Sequence, residues 1–285
     1  MAAIEPDAVH VYEPMRQWSL GLRAYPKMAR DLWRARDLFF QFVRRDILLR
    51  ARTSFFGVLW SAAHPLGLLI TFVLLRRAGI VNPHAGGVEY AAFAGLGVIH
   101  WSLFSGLLTQ AAGSLVGASN LIVRARFPSE VLVLAACMRV LVDWLFGLVI
   151  LATLFVWLGV TPAWTVVLAP LSLLPLIFLG VGLGLLLALG ALPLRDVLHA
   201  LPLVLTPLLF LSPVFYELPS GGVWEWVRIF NPISVSFEAL RGLTFAGTLP
   251  DPALFGFWLA ASVFVCLGSW RVFNLVIPKI PEYAS

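Results

Sequence analysis

Charged side chains are scarce in this sequence. Asp, Glu, Lys and Arg together make up 12% of its residues, about half the share usual in soluble globular proteins. Apolar residues make up 60%, and such a surplus of apolar surface needs a hydrocarbon solvent. The composition excludes an ordinary soluble domain and predicts a chain that lies largely within a membrane.

Lysine and cysteine are almost absent. The two lysines are Lys27 and Lys279, and neither follows a glycine, which excludes a phosphate-binding G-x-x-x-x-G-K-S/T loop. The two cysteines, Cys137 and Cys266, both lie in apolar stretches and are predicted to be small buried side chains. Neither a disulfide framework nor a cysteine-bound metal is indicated.

Sequence patterns of catalysis are missing as well. The chain has no H-E-x-x-H and no G-x-S-x-G pattern, and its five histidines are scattered. We therefore expect no metal site and no cofactor in this chain, and a transport subunit rather than an enzyme. Its positive charge comes almost wholly from arginine concentrated near the N-terminus, which favours contact with lipid headgroups over nucleic acid.

Apolar stretches long enough to cross a bilayer of about 30 Å as helices occur six times. The fourth of them contains Gly180, Gly182 and Gly184, small residues that let another helix approach closely. The sequence thus predicts an all-α integral membrane protein with six transmembrane helices. The predicted spans are residues 57–75, 90–110, 131–158, 164–192, 197–216 and 252–272.

Segments outside the spans complete the predicted organisation. Polar and apolar residues alternate at helical spacing before the first span, which predicts an amphipathic helix lying in the membrane interface. The segment before the last span is too polar and too broken to cross, so we expect two short re-entrant helices divided at Asn231-Pro232. The predicted divisions are a polar lead at 1–30, the interface helix at 31–56, the six-span domain at 57–277 with an elbow at 117–130 and the re-entrant pair at 217–251, and a tail at 278–285.

The distribution of arginine sets the expected orientation. With both termini in the cytoplasm, the N-terminal arginine cluster, Arg124, Arg126 and Arg195 all lie inside, as the positive-inside rule requires. Arg76 and Arg77 would then lie outside, against the rule. We accept that exception because the opposite orientation would export the whole N-terminal cluster.

One pair of opposite charges lies inside a predicted span. Arg139 and Asp143 are one helical turn apart on the same face of the third span. A structural ion pair is favoured over a proton relay, and both readings stay open.

Five sequence features occur in an order that resembles one family. They are RARTSFFGVLWSAAHP at 50–65, NLIVRARFPSE at 120–130, Arg195-Asp196, Ser212-Pro213-Val-Phe-Tyr216, and Asn231-Pro232 followed by Glu238 and Arg241. Together they are similar to the membrane-spanning permease subunits of bacterial polysaccharide-exporting type-2 ABC transporters. That family exports O-antigen of lipopolysaccharide, capsule and teichoic acid polymers, often on a polyprenyl pyrophosphate or other lipid carrier.

The resemblance implies a fold, a location and partners. It implies the type-2 ABC exporter fold, a homodimer in the bacterial inner membrane, and two copies of a separate cytoplasmic ABC ATPase that binds ATP and Mg. The elbow would dock into a groove of that ATPase, with Phe127 as the apolar knob and Arg126 and Glu130 as the polar rim. The coupling residues implied are Asn120, Arg124, Arg126, Phe127, Pro128, Ser129 and Glu130.

A lipid-linked glycan calls for two kinds of contact in the permease. Sugar rings pack on aromatic faces, and guanidinium groups bind pyrophosphate through paired hydrogen bonds. The candidate aromatics also fit an ordinary interfacial belt, and the candidate arginines also fit anionic membrane lipids or topology determination. The aromatics are Trp101, Phe104, Phe215, Tyr216, Trp224 and Trp226, and the arginines are Arg45, Arg50 and Arg52.

Two other functions remain as alternatives. A drug- or small-lipid-exporting ABC permease would share the fold. A lipid-handling membrane enzyme would need acidic residues clustered at one membrane face, and the sequence shows none.

Overall fold

The computed structural model describes residues 23–53, 59–81, 87–118, 127–219 and 221–278, and in these ranges the ordered structure is helical. The all-α prediction is confirmed for this part of the chain. The helices are α1 (Ala24–Arg34), α2 (Arg36–Thr53), α3 (Leu59–Arg77), α4 (Tyr90–Gly117), α5 (Glu130–Leu158), the 3₁₀ segment Trp164–Leu173, α6 (Leu174–Ala191), α7 (Asp196–Leu211), α8 (Val223–Phe230), α9 (Pro232–Arg241), the π turn Gly242–Ala246 and α10 (Pro252–Val276).

The N-terminal helix begins earlier than the predicted start at 31. Helix α1 begins at Ala24, with Ala24 and Met28 buried one turn apart. Pro26 lies in its first turn, where a missing backbone N–H breaks no helical hydrogen bond. The chain interrupts the helix at Ala35, whose N–H donates to the carbonyls of Asp31 and Leu32, and resumes as α2.

Four helical segments in the described ranges are long and apolar enough to cross a membrane. They are α4, α5, the 3₁₀ segment joined to α6, and α10. The prolines that interrupt the fourth stretch, Pro170 and Pro175, lie in the 3₁₀ segment and at the start of α6. Helices α3 and α7 correspond to the other two predicted spans. Helix α7 has 16 residues, short of the ~20 that a crossing usually takes, so the count of six stays a prediction.

Helix α4 is the centre of the bundle. It packs against α3, α5 and α6, and α6 packs in turn against α10. Most of α4 is buried, whereas most of α5 and α10 is not. The outer faces of α5 and α10 carry large exposed apolar side chains, including Leu145, Phe146, Val149, Phe257 and Phe264. Such a surface is stable only against lipid tails or another apolar protein face.

Close approach of helices at the glycines of α6 is confirmed. A Cβ atom built on Gly182 would lie 2.8 Å from the Cα atom of Cys266 in α10. A Cβ built on Gly184 would lie 2.6 Å from that of Ala111 in α4. Both distances are shorter than carbon atoms tolerate, so these glycines set how closely α6 lies to its two neighbours.

The break between the two short helices before the last span also lies where predicted. Asn231 separates α8 from α9, and its Oδ1 accepts a hydrogen bond from the N–H of Ile233 at 3.0 Å. Pro232 occupies the first helical position, where its ring fixes a helical φ. That the two short helices, α8 and α9, lie within one leaflet of the membrane stays a prediction.

Candidate functional site

The described end of the predicted elbow packs on helix α2. Residues 119–126, which include Asn120, Arg124 and Arg126, lie outside the described residues. Phe127 is half-buried, with its ring centroid 6.0 Å from that of Phe42 in α2. Pro128 is buried and Ser129 half-buried directly before α5. The described end of the elbow thus lies against α2.

Glu130 departs from its predicted role. We expected it at the polar rim of a docking surface, but it is 1% exposed. Its Oε1 accepts a hydrogen bond from Nδ2 of Asn274 in α10 at 3.3 Å. Helix α10, the last helix of the chain, covers this carboxyl group. Glu130 therefore ties the start of α5 to the end of α10 and is not available as a rim residue in this conformation.

Arg241 fixes the turn that follows α7. Its guanidinium donates to the carbonyl of Val214 at 2.8 Å and to that of Tyr216 at 3.2 Å. The same group lies over the ring of Phe93 in α4, 3.7 Å from the ring centroid. Arg241 is 8% exposed, so charge-assisted hydrogen bonds and a cation–π contact replace its hydration.

Sequence features separated along the chain converge at this turn. Nδ2 of Asn231 donates to the buried Ser212 hydroxyl at 3.2 Å. Gly97 of α4 leaves room for the turn, since a Cβ there would lie 2.0 Å from the Val214 carbonyl oxygen. In the sequence, Ser212, Asn231 and Arg241 are separate parts of a resemblance, with Asn231 also at a predicted helix break and Tyr216 also a path aromatic, and the sequence does not bring them together. The structure shows that they form one cluster with two neighbouring residues, which we call the turn cluster: Gly97, Ser212, Val214, Tyr216, Asn231 and Arg241.

The candidate path aromatics fall into an exposed group and a buried group. The Tyr216 hydroxyl donates to the carbonyl of Phe210 at 2.7 Å, and its ring meets that of Trp224 edge-on at 6.5 Å. Trp224 and Trp226 are 38% and 65% exposed, and Trp226 stacks on Phe230. Of the six candidate path aromatics, Trp224 and Trp226 are the ones that are exposed at the surface.

The remaining path candidates are covered by other side chains. Phe215 stacks on Phe72 of α3 with centroids 3.6 Å apart. Phe104 is buried beside Trp101. Trp101 and Phe104 are buried because α4 lies at the centre of the bundle. The apolar sequence of α4 alone does not show which helix takes that central position.

A large cavity lies between α3, α4, α5 and α7, and we call it the upper cavity. Its volume is about 670 Å³ and most of its wall is apolar, including Trp101 and Trp144. Hydroxyl groups in the wall, such as Ser102 and Ser105, donate to carbonyls one turn earlier in α4. The polar groups that line it otherwise are His64, Gln110 and Asp143.

A smaller cavity lies between α2, α4 and α5, and we call it the lower cavity. Its volume is about 250 Å³, and its polar lining includes Arg45, Asp46, Gln110, Ser114 and Arg139. Arg45 forms an ion pair with Asp46 at 3.3 Å and lies over the ring of Phe42 at 5.4 Å. The side chains of Arg50 and Arg52 lie outside the described residues.

Arg139 of the lower cavity is bound to a residue that lines both cavities. Its guanidinium donates to Oε1 of Gln110 in α4, and Gln110 lines both cavities. Asp143 lines the upper cavity, and its pairing with Arg139 stays a prediction. Among the described residues, no three His, Cys, Asp or Glu side chains come together as a metal site.

Comparison with known proteins gives matches over most of the chain. The model of the family described as ABC-2 type transporter matches residues 37–245. An O-antigen export system permease protein, RfbA of Myxococcus xanthus, is 26% identical over 250 residues, which are 84% of this chain and 95% of that protein. A protein of the same name from Klebsiella pneumoniae is 27% identical over 236 residues, which are 78% of this chain and 86% of that protein.

Proposed function

The chain belongs to the ABC-2 type transporter family, and on that premise we propose that it is the permease of a polysaccharide exporter. It would move a lipid-linked polymer of the O-antigen, capsule or teichoic acid kind from the cytoplasm across the bacterial inner membrane. The observation that carries this proposal is the match to relatives named for O-antigen export over nearly their whole length. That match favours a polymer over a drug or a small lipid.

A permease of this kind needs an ATPase on another chain to drive transport. We propose a homodimer of this chain with two copies of a cytoplasmic ABC ATPase, which would bind the ATP and Mg. The exposed apolar side chains of α5, α7 and α10 support the homodimer, since they offer apolar surface to a second copy of the chain as well as to lipid.

The proposed topology has six spans and both termini in the cytoplasm. The arginines of α1 and α2 would then lie at the cytoplasmic headgroup layer, and α8 and α9 would lie at the outer side. The turn cluster and the exposed rings of Trp224 and Trp226 would border the exit of the path.

Coupling to the ATPase gives the first test. We expect Phe127→Ala to lower ATP-driven export of lipid-linked polysaccharide into inside-out vesicles that contain the permease and its ATPase, while ATP hydrolysis continues. The reason is that an apolar knob in a groove transmits motion only while it fills that groove. Export and phosphate release are measured on the same vesicles.

Phe42→Ala is the matched control, because Phe42 supplies the ring that Phe127 contacts within the chain. If Phe127 only packs the elbow on α2, both variants lose export to the same degree. Coupled export that equals wild type in the Phe127→Ala vesicles would refute the docking role. Absence of ATP-driven export by the unaltered complex would refute the proposed function itself.

The outer aromatics give a second prediction. Replacing both Tyr216 and Trp224 with Ala should reduce polymer export and raise the resting leak of small ions. Their rings meet edge-on at the proposed exit. An apolar constriction there excludes ions by dewetting, and its rings can stack weakly on the faces of passing sugars. Export and ion flux are measured in the same vesicles.

Trp157 and Trp164 provide the matched control for this pair. Both are highly exposed and lie on either side of the turn between α5 and the 3₁₀ segment, on the same proposed side of the membrane. Their double replacement with Ala should leave the resting leak unchanged. If the Tyr216→Ala, Trp224→Ala protein exports polymer normally and shows no added ion leak, these rings belong only to an interfacial aromatic belt.

A further inference from the structure

Helix α10 is a single unbroken helix from Pro252 to Val276. Its one proline is at the first position, where the missing N–H breaks no helical hydrogen bond. The helix packs along α6, and the close approach at Gly182 brings the two backbones together. In the proposed topology one end of α10 lies at the outer side of the membrane and the other at the cytoplasmic side.

The cytoplasmic end of α10 is bonded to the start of α5. Nδ2 of Asn274 donates to Oε1 of Glu130 at 3.3 Å, and the two residues are 2% and 1% exposed. Helix α5 packs mainly on α4 and α2, whereas α10 packs mainly on α6, so this buried bond joins two helices whose main neighbours differ. Because Glu130 directly follows Ser129 of the elbow, a displacement of the elbow reaches Asn274 through it.

The outer end of α10 is bonded to α8. The indole Nε1 of Trp258 donates to the carbonyl of Ile229 at 2.8 Å. Ile229 lies in the last turn of α8, where carbonyl groups lack N–H donors from the same helix. Helix α8 has no buried residue in the part of the chain that the structure describes. A small number of polar and ring contacts therefore holds α8 in place, and the bond from Trp258 is one of them.

The two bonds lie near opposite ends of one stiff element. At a rise of 1.5 Å per residue, Trp258 and Asn274 are about 24 Å apart along the helix axis. Energetic coupling between distant sites is carried by rigid secondary structure and by hydrogen bonds that have more than one arrangement. An α10 that is bonded to the elbow at one end and to α8 at the other meets both conditions.

We propose that α10 carries the movement of the elbow to α8 at the exit, with Glu130, Asn274 and Trp258 as the positioning residues. When the ATPase moves the elbow, Glu130 shifts Asn274 and α10 with it, and Trp258 shifts the end of α8. The proposal rests on the proposed function in one respect, the docking of the elbow on an ATPase. It adds the link through which nucleotide binding on the cytoplasmic side alters the exit.

A cysteine on α8 reports this movement. Val223 is 75% exposed at the start of α8, and the two native cysteines, Cys137 and Cys266, are replaced by alanine. The rate at which a maleimide labels Val223→Cys is measured on the permease–ATPase complex in nanodiscs, without nucleotide and with a non-hydrolysable ATP analogue. We expect the two rates to differ. Equal rates would overturn the proposal, because α8 would then not respond to nucleotide.

Trp258→Phe tests the outer end of α10. It removes the indole donor and keeps an aromatic ring, so we expect labelling of Val223→Cys to become independent of nucleotide. If the bond only anchors α8, labelling rises to the same degree with and without nucleotide and the response persists, which overturns the proposal. Trp157→Phe is the matched control, because Trp157 lies on α5 and is 80% exposed. This control should leave the nucleotide response unchanged.

A paired substitution tests the cytoplasmic end. Asn274→Leu alone would leave the buried carboxyl group of Glu130 without this donor and would destabilise the fold. Glu130→Leu combined with Asn274→Leu replaces both partners by apolar side chains, which can be nearly neutral for stability. We expect this double variant to survive heating as the wild type does and to lose the nucleotide response. A response that persists in the double variant overturns the proposal.

Two further variants separate the bond from general damage to this end of α10. Glu130→Gln keeps an oxygen that can accept from Asn274, so it should retain the nucleotide response. Tyr25→Phe removes a different hydrogen bond to the same end of α10, from the Tyr25 hydroxyl of α1 to the carbonyl of Leu267 at 3.3 Å. It should retain the response as well, because α1 is not part of the elbow. Loss of the response in both variants would refute a specific role for the Glu130–Asn274 bond.

Export is measured separately from the nucleotide response. ATP-driven export of lipid-linked polysaccharide should fall in Trp258→Phe and in the double variant, and should not fall in Trp157→Phe or Tyr25→Phe. An unaltered complex that responds to nucleotide but exports no polysaccharide refutes the proposed function and leaves the link through α10 standing. A Trp258→Phe protein with the full nucleotide response refutes the link and leaves the proposed function standing.

Discussion

Arg241→Met is expected to destabilise the permease by at least about 3 kcal/mol, because it leaves two backbone carbonyls without their charged donor. The carbonyls of Val214 and Tyr216 both accept from this guanidinium. The ring of Phe93 also loses the cation that covers its face. We expect most of the variant to aggregate at temperatures at which the wild type stays monodisperse, measured by fluorescence-detected size exclusion after heating.

Arg241→Lys and Arg77→Met serve as controls for this substitution. Lysine keeps the charge but cannot fork to two carbonyls, so Arg241→Lys should be intermediate. Arg77 is an exposed arginine at the end of α3, and its loss should change stability little. An Arg241→Met protein as heat-resistant as the wild type would show that the turn after α7 does not depend on this side chain.

Gly182→Ala is expected to weaken the packing of α6 on α10. The added carbon would lie 2.8 Å from the Cα of Cys266, and a backbone atom cannot rotate away as a flexible side chain can. Overpacking of this kind costs about 1–3 kcal/mol, more than the ~1 kcal/mol that alanine contributes over glycine in a helix. The measurement is again recovery of monodisperse protein after heating.

Gly268→Ala is expected to have the opposite effect on stability. Gly268 also lies in a membrane helix, α10, and an added carbon there meets no atom within 4 Å in the described chain. This variant keeps the gain in helix propensity without the clash, so it should survive heating at least as well as the wild type. If the two variants behave alike, the close approach at Gly182 does not limit stability.

The sequence alone determined the features that depend on local chemistry. Its apolar stretches indicated a helical membrane protein, because a segment in lipid must satisfy its backbone hydrogen bonds internally. Asn231-Pro232 placed the break between α8 and α9, since the asparagine caps a helix and the proline opens one. The glycines of α6 indicated close helix packing, because the absence of a side chain is visible in the sequence itself.

Only the tertiary structure decided which residues become partners. Glu130 is buried against Asn274, 144 residues later, whereas the family resemblance implied a place at a docking rim. Arg139 meets Gln110, 29 residues earlier, and Arg241 binds the carbonyl of Val214, 27 residues earlier. From the sequence we singled out Glu130, Arg139 and Arg241 but did not find these partners. Spacing along a helix predicts neighbours one turn apart, whereas contacts between helices depend on how the whole bundle packs.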